Sequence, residues 1–200
     1  MRKIPVAIVA LSLLLAACGV DTTGLSPKSS KQPKGNPAAL VTVTEYGDFQ
    51  CPACKTAHEF ITKPLLQKYG DKIRFEFKQF PLRTIHAYAL EAAEASECAA
   101  DQGKFWEFVD IAYARQADLS SSALRDFAKV LGLDADLFDR CVRSGIKEGT
   151  TRSDEADGNA LDVQGTPSYF VNGQRVASNT YQALSDAVEQ ALRQVEKGPL

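Results

Sequence analysis

EYGDFQCPACKTAH, residues 45 to 58, sets two cysteines three apart with Pro52 directly after the first. What flanks it decides the fold. Upstream, the β-branched alternation of ALVTVTEYGDF predicts a strand over 40–46. Downstream, Pro52 suits a first helical turn, where a missing N–H costs nothing. Ala57, Phe60 and Ile61 recur at helical spacing over 53–63, and Pro64 is expected to kink or end that helix. KIRFEFKQF (72–80) then sets Ile73, Phe75 and Phe77 against charged neighbours, the pattern of a second strand. Strand, helix and strand make a βαβ unit. Its parallel strands imply a sheet covered on both faces, with function at the carboxyl ends of the strands, where CPAC lies.

Residues 84 to about 163 show no convincing strand and read as a helical insertion. An Ala-rich helix over 85–100 and another over 104–115 come first. Ser120 or Ser121 then caps a helix reaching Leu131 and stopped by Gly132, and Asp134 caps one running to Val142. VQGTPSYFVNGQRV (163–176) brings a turn, a short strand over 168–171, the hairpin signal Asn172-Gly173 and a return strand. Thr180 opens a last amphipathic helix, with Leu184, Val188, Ala191 and Leu192 facing inward. Phe105, Trp106, Phe108, Phe127 and Phe138 read as core aromatics of the helical cap, with a substrate groove as the alternative.

The N-terminus indicates the compartment. Arg2 and Lys3 precede an apolar run over 4–17 that reads as a signal peptide, too short for a comfortable membrane span. Leu15-Ala16-Ala17-Cys18 resembles the bacterial lipoprotein processing box, with cleavage before Cys18 and lipid attached to it. The plainer alternative is an ordinary signal peptide that leaves Cys18 a free thiol. Residues 18–38 then form a lipidated N-terminus and flexible linker, and 39–197 the folded domain. Gly19 is compatible with the outer membrane if the organism has one. The chain carries 23 basic and 25 acidic residues; without 1–17 the balance is 21 against 25, a net charge of -4. No basic patch with interleaved aromatics is present, so nothing points to nucleic acid.

Export places four cysteines, Cys51, Cys54, Cys98 and Cys141, in an oxidising compartment. Positions three apart share a helix face, so Cys51 and Cys54 can form a bond that opens and closes readily. A helix N-terminus stabilises a thiolate at Cys51 and lowers it from about 8.5. Cys51 is therefore the expected nucleophile, and Cys54, one turn in, the resolving cysteine. Zinc would need two further ligands at finger-like spacing, which are missing. Copper(I) delivery is the rival from another class, because His58 lies four residues beyond Cys54; the plainer reading of His58 is an exposed helix residue. A purely structural bridge closing so short a loop would stabilise little.

EYGDFQCPAC, GKFWEF and GTPSYFVNG, in this order, resemble the DsbA-like branch of the thioredoxin superfamily over roughly residues 38 to 195. The resemblance implies an α/β thioredoxin-like fold, a central mixed sheet flanked by helices, with an inserted helical subdomain over about 84–163. It implies a cis peptide before Pro167, with Thr166 and Pro167 binding the substrate backbone. Glu45 would assist proton transfer at the buried cysteine, against the alternative of a carboxylate on a strand's solvent face, and Lys78 would be its charge partner. Insertions of this kind can carry a structural bridge, here Cys98 to Cys141, whose loop of about 44 residues would contribute roughly 4 kcal/mol by chain entropy. Two buried thiols or a second redox pair remain the alternatives for these two residues.

The activity implied is that of an exported thiol-disulfide oxidoreductase, in the dithiol-oxidase direction, with reductase or isomerase as the alternative. Pro-Ala inside the motif, where the oxidising prototype has Pro-His, makes the couple less oxidising, and Thr before the proline leans toward isomerase. No cofactor is needed, since the cysteines carry the electrons. The partners are cysteine-containing exported proteins, a membrane redox protein that regenerates Cys51 and Cys54, and the membrane through the lipid anchor. No dimerisation module is evident, so a monomer is expected.

Overall fold

The structure, a computed structural model, describes residues 19–198, so the expected signal peptide and Cys18 lie outside the described residues. Five strands form one mixed sheet in the order β1-β3-β2-β4-β5. Strands β2 (Val41–Gly47) and β3 (Ile73–Gln79) pair in parallel, with Val41 opposite Ile73 and Gly47 opposite Gln79. Strand β4 (Ser168–Val171) runs antiparallel to β2 and continues through Asn172-Gly173, both at positive φ, into β5 (Gln174–Arg175). This is the mixed thioredoxin-like sheet, with the helical insertion between β3 and β4.

Period-two alternation places Val41, Val43, Ile73 and Phe75 on one face of the sheet. There they pack on Ala57, Ile61 and Leu65 of the helix after CPAC and on Leu184 and Val188 of α8 (Tyr181–Lys197), which Thr180 caps as expected. The second, larger core lies in the insertion: α3 (Ala89–Ala100), α4 (Phe105–Ala114), α5 (Ser121–Val130), α6 (Ala135–Ser144) and α7 (Glu148–Ala160). Phe105, Phe108, Phe127 and Phe138 fill it, and Trp106 packs at its edge. Ser120 and Asp134 accept from the N–H groups of Ala123 and Leu137, capping α5 and α6. The Cys98 and Cys141 sulfurs are bonded, joining α3 to α6. A polar sequence hid α7, whose Gly158 lets the Phe80 ring approach so closely that a Cβ would lie 2.8 Å from it.

Three expectations need correction. Pro64 does not end the first helix. Helix α1 (Pro52–Ala57) passes through one wide π-type turn (His58–Thr62) into α2 (Lys63–Tyr69). Proline lacks an N–H and clashes with the carbonyl four residues back, and the widened turn absorbs both while the helix continues. Helix α3 begins four residues late, because side-chain acceptors tie down the loop before it: Asp48 Oδ2 takes the Leu82 N–H, and Gln50 Oε1 takes the Tyr88 N–H.

The segment expected to be a flexible linker lies docked along the body. Arg140 donates to the Asp21 and Thr23 carbonyls, Lys147 to that of Lys28 and Trp106 to that of Gln32. Lys31 bridges Glu97 at 2.8 Å and Asp154 at 2.6 Å, and β1 (Lys34–Gly35) pairs with β3. Backbone carbonyls and charge pairs hold this strap, and hydropathy patterning does not register either.

Candidate active site

Strand β2 ends in a turn that delivers Cys51. At Gly47 a Cβ would sit 2.5 Å from the Phe77 ring, so only glycine permits the close approach. The buried Asp48 then orders the turn: Oδ1 accepts from Gln50 N, and Oδ2 accepts from Leu82 N and bonds His86 Nδ1 at 2.7 Å. Cys51 follows as the N-cap of α1, with Pro52 at its first position and its own carbonyl accepting from Lys55 N at 3.2 Å. Gln116, just past α4, donates from Nε2 to the Phe49 and Cys51 carbonyls at 2.7 and 2.9 Å.

The two CPAC cysteines are free thiols with opposite tendencies. Cys51 is lowered from 9.0 to about 5. The Cys54 thiol donating to its sulfur contributes most, burial opposes, and Thr166 and the N–H groups of Cys54 and Ala53 add to the lowering. Cys54 is pushed well above 9.0, first by its complete burial, then by Cys51 and the charge of Glu45. In the thiol form Cys51 Sγ donates to the Thr166 carbonyl at 3.3 Å, and the Thr166–Pro167 peptide is cis. The motif and the Thr-Pro loop, 115 residues apart, therefore meet.

Glu45 is only 1 % exposed, which corrects the solvent-face alternative. Thr62, carried by the π-type turn, donates to Glu45 Oε2 at 2.9 Å and contacts Tyr169 Oη at 2.9 Å, while Glu45 Oε1 has no partner. Burial without a cation raises the Glu45 carboxyl to about 7, although the Thr62 and Tyr169 hydroxyls moderate it. Lys78 is not its charge partner: it stands opposite Tyr46 in the sheet register and pairs with Asp154 and Asp157.

His58 is likewise buried and not an exposed helix residue, and its Nε2 lies 2.7 Å from Asp110 Oδ1. Burial lowers its pKa, with Asp110 opposing. Its ring leans on Tyr113 at 5.0 Å between centroids. Among the described residues no group of three or more His, Cys, Asp or Glu is arranged to hold a metal ion.

A groove of about 580 Å³ runs between α1 and the cis-proline loop, bounded by Ala53, Ala57, Ile61, Pro167 and Tyr181. Phe60 borders it and is 72 % exposed, facing away from the core that its helical spacing suggested. Asp48, Thr62, Tyr169 and Gln116 escaped the sequence reading. Of these only Asp48 carries a local signal, as an Asx-turn residue two positions before its N–H partner.

A free CPxC pair capping the helix after the first strand of a βαβ unit, against a cis-proline loop, defines a thioredoxin-fold protein with a dithiol site. A family model described as Thioredoxin matches residues 30–190, and the chain belongs to that family. Among solved structures it is similar to a thioredoxin-like oxidoreductase from Silicibacter pomeroyi, with a TM-score of 0.74 and 24% identity over 83% of this chain and 94% of that one. It is also similar to the thiol-disulfide exchange protein alpha-DsbA2 from Wolbachia pipientis, with a TM-score of 0.70 and 22% identity over 80% of this chain and 86% of that one.

Among curated proteins, the chain is 42% identical over 161 residues to the Na(+)/H(+) antiporter NhaA 1 of Salinispora arenicola, covering 79% of this chain and 24% of that protein. It thus spans about a quarter of that relative's length. No helix among the described residues is long and apolar enough to cross a membrane.

Proposed function

We propose that the chain is an exported thiol-disulfide oxidoreductase that oxidises dithiols in cysteine-containing exported proteins. The opposed acidities of Cys51 and Cys54 carry this reading: one sulfur is a stable thiolate and good leaving group, the other a protonated thiol. A thiolate favoured at Cys51 stabilises the reduced pair and so makes its disulfide an oxidant.

In the oxidised protein a substrate thiolate attacks Cys51 Sγ. The Cys51–Cys54 bond breaks, Cys54 leaves with the electron pair and takes up a proton, and Cys51 is joined to substrate. Glu45, near 7 and electrostatically coupled to Cys54, would supply that proton. A second substrate thiolate then attacks the substrate sulfur, and Cys51 departs as thiolate. The substrate has lost two electrons and the protein holds them as a dithiol, which a membrane redox protein must reoxidise. In the reverse direction Cys54 resolves the mixed disulfide.

Thr166 and Pro167 offer backbone to an extended substrate strand beside Cys51, and the adjoining groove takes apolar side chains. Cys98–Cys141 acts as a structural bridge and fits an oxidising compartment. Lipid on Cys18 would moor the monomeric domain to the membrane, facing the periplasm or cell exterior, and Cys18→Ser should release it to the soluble fraction. The cysteines need no cofactor.

The test is the redox equilibrium of Cys51 and Cys54 against glutathione. The reading expects a potential nearer the strongly oxidising limit of about -120 mV than the reductant's of about -270 mV. A value at the reducing limit contradicts the oxidase direction.

A further inference from the structure

The helical subdomain grips the redox loop along one edge. Asp110, Tyr113 and Gln116 follow at three-residue intervals along α4 and the turn after it. Asp110 holds His58 at 2.7 Å, the Tyr113 ring lies 5.4 Å from that of Phe49, and Gln116 Nε2 reaches the Phe49 and Cys51 carbonyls. Gln116 is the member that touches the cysteine's own backbone. Its amide has two N–H bonds, one for each acceptor, and the two carbonyls belong to peptide planes on either side of the Gln50–Cys51 link. Holding both to one nitrogen fixes how Cys51 presents its sulfur to the Cys54 thiol and to the N–H groups of Ala53 and Cys54.

We propose that Gln116 is a positioning residue for Cys51: by donating to the carbonyls of Phe49 and Cys51 it orients the helix cap and offsets their negative ends beside the sulfur. This rests on the reading of Cys51 as the reacting thiolate. Without the donor, the Phe49 carbonyl is left unpaired, the Cys51 carbonyl keeps only Lys55 N, and the cap is free to turn, so the thiolate loses both its orientation and part of its electrostatic support. The inserted subdomain, through a single side chain, thereby sets the reactivity of a cysteine carried by the thioredoxin core.

The experiment follows alkylation of the reduced protein as a function of pH, with the modified cysteine located by mass spectrometry. Gln116→Leu removes both donors and leaves a shorter apolar side chain in their place. The proposal expects its Cys51 profile to move to higher pH and its rate near the wild-type midpoint to fall by about three- to tenfold. Gln116→Glu, which turns a donor into an acceptor, should shift the profile further in the same direction. Gln116→Asn, one methylene too short to reach, gives the same readout should the leucine variant fold poorly. A Cys51 profile in these variants that superimposes on that of wild type overturns the proposal. If wild type is instead modified at Cys54 first, or Cys51→Ser stays active, the reading of Cys51 itself has failed, and the proposal with it.

Discussion

Cys51 and Cys54 stand three residues apart at the head of α1; Cys98 and Cys141 are 43 apart in sequence and tie α3 to α6. All four belong to the same apolar cluster and none is more than 7 % exposed. Burial therefore does not separate the two pairs. The polar surroundings and the size of the closed loop do. Around Cys51, the Cys54 thiol and the helix-cap N–H groups support a thiolate beside an open groove, whereas the second pair spans a long loop within the packed insertion. In the function proposed above, one pair is exchanged and the other restrains the chain.

Removing each pair should break this contrast in a different currency. Cys51→Ser should bring dithiol oxidation to background with the thermal midpoint nearly unchanged, measured on a reduced cysteine-containing peptide. Replacing Cys98 and Cys141 together by alanine should leave Cys51 reactive but lower the unfolding free energy in urea by about 4 kcal/mol. Activity lost with the second pair, at a temperature where the variant remains folded, would merge the two roles.

Two buried carboxylates sharpen the same comparison. Glu45 has no cation, whereas Glu97, in α3, has Lys31. Glu45 is raised from 4.5 to about 7, so the folded dithiol form holds a proton that the unfolded chain releases. The associated stability is fully present below about pH 4.5 and is lost as pH rises through about 7, amounting to about 3 kcal/mol. Glu45→Gln removes the titration, so the stability of the variant relative to wild type should rise by that amount between about pH 4 and about pH 8. A constant difference over that range would mean that Glu45 is not held neutral. Lys31→Met should cost less, about 2 kcal/mol, because Asp154 keeps Lys78 while Glu97 loses its cation. Hydrogen exchange in β1 should rise with it.

The features legible in the sequence are those decided locally. Val41, Val43, Ile73 and Phe75 alternate, Ser120, Asp134 and Thr180 cap helices by bonds to N–H groups three residues on, and Asn172-Gly173 adopts the positive φ its hairpin needs. The CPAC pair and the Thr166–Pro167 loop could be named, and the fold places them together. What escaped depends on distant chain. The burial of Glu45 comes from Thr62 and Tyr169, the reach of Gln116 from the docking of α4, and the strap from charge pairs to Glu97 and Asp154 that leave no hydrophobic period. Pro64 misled because a widened turn several residues long absorbed what a proline ordinarily breaks.

The asymmetry between Cys51 and Cys54 is tested most directly by titrating the thiolate ultraviolet absorbance of the reduced protein, with Cys51→Ser, which should abolish the low-pH signal, to assign it. One thiolate should appear with a midpoint at about 5 and belong to Cys51, while Cys54 stays protonated through neutral pH. Two thiols titrating together near 9.0, or Cys54 ionising first, would contradict the account.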